Sequence, residues 1–527
     1  MRKGNLLLVI AAALLLAGPV FAELQNVEVG GSLFIRGNWI RNTFTTFGPN
    51  GQPSPAVRWP ASSMRGRAVG PFGPNVISVF DWDDDGDDVA FVEQRTRLNV
   101  KADFTQNVGA FMEIDSYDIW GEDFRSQNYL TGADTRSRSV DDVEFFQAYV
   151  QADQMFGVPI RLRLGRQELS FGSQWLVGPR DFAFFKTGLS FDAIRATYTH
   201  DMFTVDVFAS KLLDTLRSLG KGDIDFYGVY GSWTSIPDVT IDAYYFLLRD
   251  DTPRTEDTNG GPLLEYIEHL ARLDEYDSTL LNTVGARFAA KKWGFDVDAE
   301  GAYQFGPADS AGKTFKAFRY GDDRANFNTF GLKLDAGYTI DINDKYKPHV
   351  FAGFRYYNGE DNRHVNLLDS MNPLRRPHSS LSFNRLFSNE INSGFMDLNN
   401  DLSNAWLLRG GIEGPIIGRL GGRAAVTYFQ AVDPFFAPNV YKVFGAKIPS
   451  IFSWDTKPND SDMGWETDLF FEYHYSQDLV FEAGWAHLFP GNGLRQGSYS
   501  RFMGMIFTGG TAKKDGDYIY LGSKLSF

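Results

Sequence analysis

Stretch after stretch of this chain alternates apolar and polar residues with a period of two. The connections between those stretches are short and long in strict turn. Val92–Phe104 is the clearest stretch: Val92, Thr96, Leu98, Val100, Ala102 and Phe104 alternate with Glu93, Arg95, Arg97, Asn99, Lys101 and Asp103. A period of two places successive side chains on opposite faces of a strand, so each stretch is a strand with one apolar and one polar face. The first nine run Val29–Trp39, Val92–Phe104, Val108–Ser116, Phe145–Asp153, Ile160–Phe171, Ser190–Thr199, Met202–Lys211, Asp223–Ser235 and Val239–Asp250. The rest are Leu281–Ala290, Gly294–Phe305, Asn326–Thr339, Pro348–Tyr357, Asn404–Glu413, Gly422–Ala431, Met463–Tyr475, Leu479–Leu488 and Gly516–Phe527.

That is about 18 strands of about ten residues, an even number in the range of transmembrane barrels. Every second connection is tight, near Asn107, Gly157, Asp201, Pro237, Lys292, Asp344, Arg419 and Gln477, and the others are long. Short periplasmic turns and long outer loops are the pattern of such a barrel, and a soluble sandwich or propeller has no reason to follow it. The expected fold is therefore all-β: one antiparallel transmembrane barrel, with both chain ends on the periplasmic side.

The start of the chain agrees. Arg2 and Lys3 precede the apolar run Leu6–Leu16, and Val20-Phe21-Ala22 is a small-residue cleavage signal before Glu23. Residues 1–22 read as a secretory signal peptide and 23–527 as a single barrel domain. No other stretch approaches the apolar length of a membrane-spanning helix. With no Cys, nothing in an exported chain is held by disulfides. The net charge of −15 argues against nucleic acid as a partner. The expected surroundings are outer-membrane lipid in a Gram-negative-type bacterium. The last strand places Ile519, Leu521, Leu525 and Phe527 on one face, as the assembly signal of an outer-membrane strand would.

In a closed barrel of this size the polar face looks into a lumen wide enough for water unless loops fill it. The lumen candidates are Arg36, Arg95, Arg97, Lys101, Arg161, Arg163, Arg166, Arg195, Arg287, Lys333, Arg355, Arg409 and Arg423. Facing them in the same count are Glu93, Glu113, Asp115, Glu168, Asp192, Asp206, Asp296, Asp298, Glu300, Glu466, Asp468 and Glu472. Gly165 in IRLRLGRQELSF reads as a bulge that turns Arg166 and Glu168 to the polar side. The arginines could pair across strands and solvate the wall, or guide an anionic solute by hydrogen-bonding forks.

RLGRQELSFG, the FDAIR of Phe191–Arg195, EQRTRLNV at Glu93–Val100 and GWETDLFFEYHY at Gly464–Tyr475 resemble the alginate export family of outer-membrane porins. The resemblance covers nearly the whole mature chain. It implies an 18-stranded barrel passing an anionic polysaccharide through an arginine-lined constriction, with long loops closing the ends. By matching motif it carries over Arg95, Arg97, Arg166, Glu168, Asp192 and Arg195. A periplasmic partner delivering the polymer is implied by the same analogy.

The pore-lining expectation is thus Arg95, Arg97, Arg163, Arg166, Glu168, Asp192, Arg195, Arg355 and Arg409, with an anionic oligo- or polysaccharide, or small anions, as solute. Asn42–Ala90 and Asn358–Ser403 are the loops expected to narrow or gate the outer mouth. Acidic inner positions rival the basic ones, so a general or cation-preferring porin is the alternative within transport. A structural or adhesion barrel with a plugged lumen is the alternative outside it.

No catalytic constellation is visible: the seven histidines form no close-spaced pair and no G-x-S-x-G elbow occurs. An enzyme is therefore not expected, nor is a cofactor. Asp81, Asp83, Asp85 and Gly86 match the first half of a calcium loop, and Asp87 adds a further carboxylate. The twelfth position of that loop falls on Val92, with Glu93 one late, so a solvated acidic loop is favoured over calcium. A helical period at Leu263, Leu264, Ile267, Leu270, Ala271 and Leu273 predicts an amphipathic helix on the outer rim.

Overall fold

The computed structural model describes residues 24–42, 46–47, 53–54, 88–104, 107–120, 143–181, 188–214, 223–251, 278–308, 325–343, 345–359, 367–368, 379–397, 402–434, 436–450, 452, 454–458, 460–496 and 515–527. The acidic run Asp81–Asp87 and the Leu263–Leu273 segment lie outside them. So do residues 1–22 and nearly all of Asn42–Ala90.

Eighteen strands form a closed antiparallel barrel. In chain order they are β1 (Leu24–Arg41), β2 (Val89–Phe104), β3 (Val108–Ile119), β4 (Val143–Ala152), β5 (Ile160–Gln167) and β6 (Phe191–His200). Next come β7 (Phe203–Leu213), β8 (Ile224–Trp233), β9 (Val239–Asp250), β10 (Thr279–Lys292), β11 (Phe295–Pro307) and β12 (Ala325–Thr339). Last are β13 (His349–Tyr357), β14 (Ala405–Ile417), β15 (Leu420–Ala431), β16 (Asp462–His474), β17 (Leu479–Pro490) and β18 (Gly516–Ser526). Each strand pairs with its sequence neighbours, and β1 closes the ring on β18 from Ser32↔Ser526 to Arg41↔Asp517. A two-residue piece, Ser379–Ser380, adds in parallel beside the start of β12. Closure leaves no open edge, which is what a strand structure needs where no water can satisfy its backbone.

Local chemistry sets the tight turns. Between β10 and β11 the chain reverses in two residues, Trp293 and Gly294, both at positive φ (54° and 85°). That is the mirror-image turn whose twist matches paired strands, and glycine takes the second position without strain.

The alternation sorts side chains as the sequence predicts. Leu33 and Ile35 on β1, Leu98 on β2 and Leu521 on β18 face outward, while Arg36, Glu93 and Arg95 are buried inside. Exposed aromatics mark both margins of the outer wall: Trp39, Trp465 and Phe489 towards the long loops, Trp293, Phe295 and Tyr475 towards the tight turns. Such rings suit the two membrane–water interfaces. Among the described residues no helix is long and apolar enough to cross a membrane, and the crossing is made by strands.

The lumen departs from a plain charged pore. An apolar cluster sits within it, built from inward-facing Phe191, Phe208, Phe226 and Phe246 and from two segments that enter from the long connections.

Candidate functional site

The first inward segment, residues 168–181, turns off the end of β5. The Phe171 N–H donates to Val177 O (3.2 Å) and the Gln174 N–H to Phe171 O (2.9 Å), folding it into a compact knot. The Phe171 ring stacks on Phe208 and Tyr230, at centroid distances of 5.3 and 5.1 Å. Fully buried Trp175 donates its indole N–H to the Tyr357 hydroxyl (3.2 Å), and Ser173 Oγ donates to Glu300 Oε2 (2.7 Å). The knot therefore reaches from β5 to β11 and β13, across the lumen.

The second inward segment, residues 379–397, docks on the first. The Phe387 N–H donates to Leu176 O (2.8 Å), the Gly178 N–H to Phe387 O (2.9 Å) and the Asn389 N–H to Gln174 O (3.0 Å). Its far end is tied to β16. The N–H groups of Gly394, Phe395 and Met396 donate to Asp468 Oδ1 (3.0 Å), Glu466 Oε1 (2.6 Å) and Glu466 Oε2 (2.9 Å). Two interior carboxylates thus satisfy three successive backbone donors that would otherwise be buried unpaired.

Charge holds the middle of this segment. Arg355 on β13, fully buried, grips Glu390 (Nη2–Oε1 2.5 Å, Nε–Oε2 3.1 Å) and Asp335 (Nη2–Oδ2 2.7 Å). Burial would push the Glu390 carboxyl up, but the Arg355 guanidinium, joined by Lys333, outweighs it and holds Glu390 well below the usual carboxylate range. Asp397 goes the other way: burial raises it even though Arg385 donates to both its oxygens, at 2.9 and 3.1 Å.

The arginines named from the sequence divide by what they touch. Arg95 grips Asp115 (Nη2–Oδ2 2.5 Å) and reaches Asp181 of the first segment (3.0 Å), so it fastens that segment to the wall. Arg97 lies in the same acidic surroundings without closing on them: Glu113, Asp115 and Asp181 stand 3.6–3.8 Å away, and its Nε and Nη2 have no hydrogen-bond partner among the described residues. Both lie over the Phe146 ring. Glu168 is held half-buried, its carboxyl raised by burial against the pull of Arg97.

Arg163 on β5 faces Arg195 on β6 in direct register. Arg163 hydrogen-bonds Gln151 (2.8 Å) and lies 4.2 Å above the Tyr149 ring, and among the described residues no carboxylate comes within ion-pair distance of it. Arg195 keeps one bond to Asp206 (2.8 Å) and lies over Phe171. On β14 and β15, eight strands away in either direction, Arg409 and Arg423 flank Phe351. Arg409 reaches Asp335 (3.2 Å) but its Nε has no partner among the described residues, and Arg423 stands 3.8 Å from Glu413.

Three of the expected assignments change. Arg166 and Asp192 do not look into the lumen. No register shift occurs along β5: Gly165 stays on the inner side opposite Tyr149, so Arg166 falls on the outer face with Leu164, and Asp192 with Ile194. Arg166 donates to Asp192 there, Nε–Oδ1 2.8 Å and Nη2–Oδ2 3.1 Å. Arg355 is inside the barrel, but its donors are consumed by protein carboxylates. Asn358–Ser403, expected to narrow the outer mouth, sends residues 379–397 into the lumen, and residues 168–181, read partly as strand, enter it unexpectedly; aromatic residues at 171, 175, 383, 387 and 395 are the signal both carry.

A closed barrel with aromatic margins and a charged interior defines an outer-membrane channel of the porin class. Within it the chain belongs to the alginate export family, whose model matches residues 83–504. Among solved structures it is similar to OccK8 (OprE) of Pseudomonas aeruginosa, at 12% identity and TM-score 0.49, covering 95% of this chain and 98% of that one. It is similar also to OccAB4 of Acinetobacter baumannii (9% identity, TM-score 0.47, 97% and 100% covered). An anion-selective porin from Comamonas acidovorans matches at 10% identity and TM-score 0.38 over 95% and 99%. A search of the curated proteins finds no match.

Proposed function

We propose that this channel passes an anionic solute passively, with an acidic oligo- or polysaccharide as the substrate class. Family membership supports that class. The observation that carries the reading is the inner face of β5–β6, where Arg163 and Arg195 stand opposite each other and Arg163 lacks a carboxylate partner among the described residues. Two cations held side by side raise each other's energy, and an anion between them relieves it. Among the described residues Arg97 has two unsatisfied nitrogens and Arg409 one, which extends the series of donors to other parts of the wall. A carboxylate-bearing chain would move from fork to fork, and no single fork would hold it long.

On this reading residues 1–22 direct export and are removed, and a polymer reaches the periplasmic mouth from a delivering partner. The inward segments favour a second reading, a barrel plugged for a structural or adhesive role. Planar-bilayer conductance under a salt gradient separates them. The channel reading expects anion-selective current that uronate oligomers block. A large cation-selective current indifferent to the oligomers would refute it, and absence of current would favour the plugged barrel.

A further inference from the structure

Arg166 and Asp192, displaced from the lumen, are the first two members of a longer series. Their register neighbours on the outer face run straight across five strands: Arg166↔Asp192, Asp192↔Lys211, Lys211↔Asp225 and Asp225↔Arg249. The row alternates cation and carboxylate from β5 to β9. It ends at both sides, because Arg166 is followed by Ala148 on β4 and Arg249 by Leu280 on β10. The residues pair along the row. Lys211 Nζ lies 2.5 Å from Asp225 Oδ1 and 3.0 Å from Asp223 Oδ2, and Arg249 bonds Asp251 and stands 3.9 Å from Asp225.

All five positions fall within three residues of the strand ends that lead to long connections, at the outer margin of the barrel. The next outward row towards the periplasm is Leu164, Ile194, Ala209, Tyr227 and Leu247, wholly apolar or aromatic. The row of charges therefore marks the boundary where hydrocarbon gives way to headgroups. Elsewhere the outer margin carries rings such as Trp39, Trp465 and Phe489.

The layering of the charges decides what the row presents. Arg166, Lys211 and Arg249 are 41%, 42% and 37% exposed, whereas Asp223, Asp225 and Asp251 are 16%, 7% and 15% exposed. Those three carboxylates lie beneath Lys211 and Arg249 and orient them outward, while Arg166 is held by Asp192, which at 56% is the most exposed group of the row. Guanidinium and ammonium groups spaced along a membrane boundary match phosphate oxygens.

We infer that the outer margin of β5–β9 is a docking surface for the phosphate-bearing headgroup of an outer-leaflet glycolipid, with Arg166, Lys211 and Arg249 as its contacts. Arg41 on β1, closed on Asp517 of β18, puts a further cation at the same margin, but the five-strand row is confined to β5–β9, so a bound lipid would sit beside the connection that leads into the first inward segment.

The test is native mass spectrometry of the full barrel with a diphosphorylated glycolipid and with the same glycolipid stripped of phosphate. The phosphorylated form should bind about tenfold more tightly. Arg166→Gln/Lys211→Gln/Arg249→Gln should erase that ratio, with folding checked by the shift of unheated protein on electrophoresis. Asp192→Asn alone, which spares every cation, should strengthen binding. Equal binding of the two lipids, an unchanged ratio in the triple variant, or weaker binding by Asp192→Asn would overturn the proposal. Loss of an oligomer in the triple variant with lipid binding intact would assign the face to a second copy instead.

Discussion

Strands β5 and β6 carry arginines on both faces, and the two faces treat them in opposite ways. Inside, Arg163 meets Arg195, like facing like. Three residues further along each strand, on the outside, Arg166 meets Asp192 and closes on both its oxygens. Charge at the lipid boundary must be compensated by neighbours or headgroups, because a lone ion there is costly. Charge in a wet lumen can be left incompletely matched, and that surplus is what a solute can use. The difference lies in the partner, and parity along the strand decides which partner each arginine meets.

Five substitutions and one titration would break or sharpen this contrast. The largest effect belongs to the lumen arginine that is fully matched. Arg355→Ala leaves Glu390 and Asp335 without their guanidinium and should cost about 3–5 kcal/mol, read as a lower unfolding temperature with noisy, enlarged conductance. Trp175→Ala should cost about as much, ~3–5 kcal/mol, by emptying the site beneath Tyr357 and Phe383. If conductance stays unchanged in both, the inward segments do not control the passage.

Arg163→Gln is the middle case. Stability should move by no more than about 1 kcal/mol, while the reversal potential in a salt gradient shifts towards cation preference. Arg166→Gln should lower stability by about 0–1 kcal/mol, as for an exposed pair, and leave the reversal potential where it was.

The smallest effect is with pH. Glu390 has its carboxyl held below the ordinary value, so its pairing with Arg355 contributes in full above about pH 4.3. That contribution is lost only as pH falls below this range towards the folded value. Thermal unfolding followed by circular dichroism should therefore show no loss from this pair between about pH 8 and 5. Glu390→Gln should weaken the acid dependence below that.

The barrel was legible because two independent regularities, the period of two and the turn-by-turn lengths of connections, agree on it. The lumen face was legible wherever parity ran unbroken, as at Glu93, Arg95 and Arg97. It misled at Gly165, where a glycine in a strand suggests a bulge. Gly165 sits at φ 127°, and a Cβ there would lie 2.3 Å from Ala148 O, so the glycine serves close approach to β4 and the parity never slips. The inward segments have no period to read. Strand β8 nevertheless hinted at them, since Phe226 and Tyr230 inside and Tyr227 and Val229 outside make it apolar on both faces. A strand apolar on both sides needs an apolar neighbour in the lumen. How completely an arginine is paired depends on distances across the barrel, and sequence order does not encode those.

The measurement that tests the central claim most directly is the reversal potential of single channels of wild type, Arg163→Gln and Arg166→Gln in one KCl gradient, with uronate oligomers added on the periplasmic side. The account predicts an anion-selective wild type blocked by the oligomers, a weakened preference and block in Arg163→Gln, and wild-type behaviour in Arg166→Gln. Equal reversal potentials in all three, or a shift in Arg166→Gln alone, would contradict it.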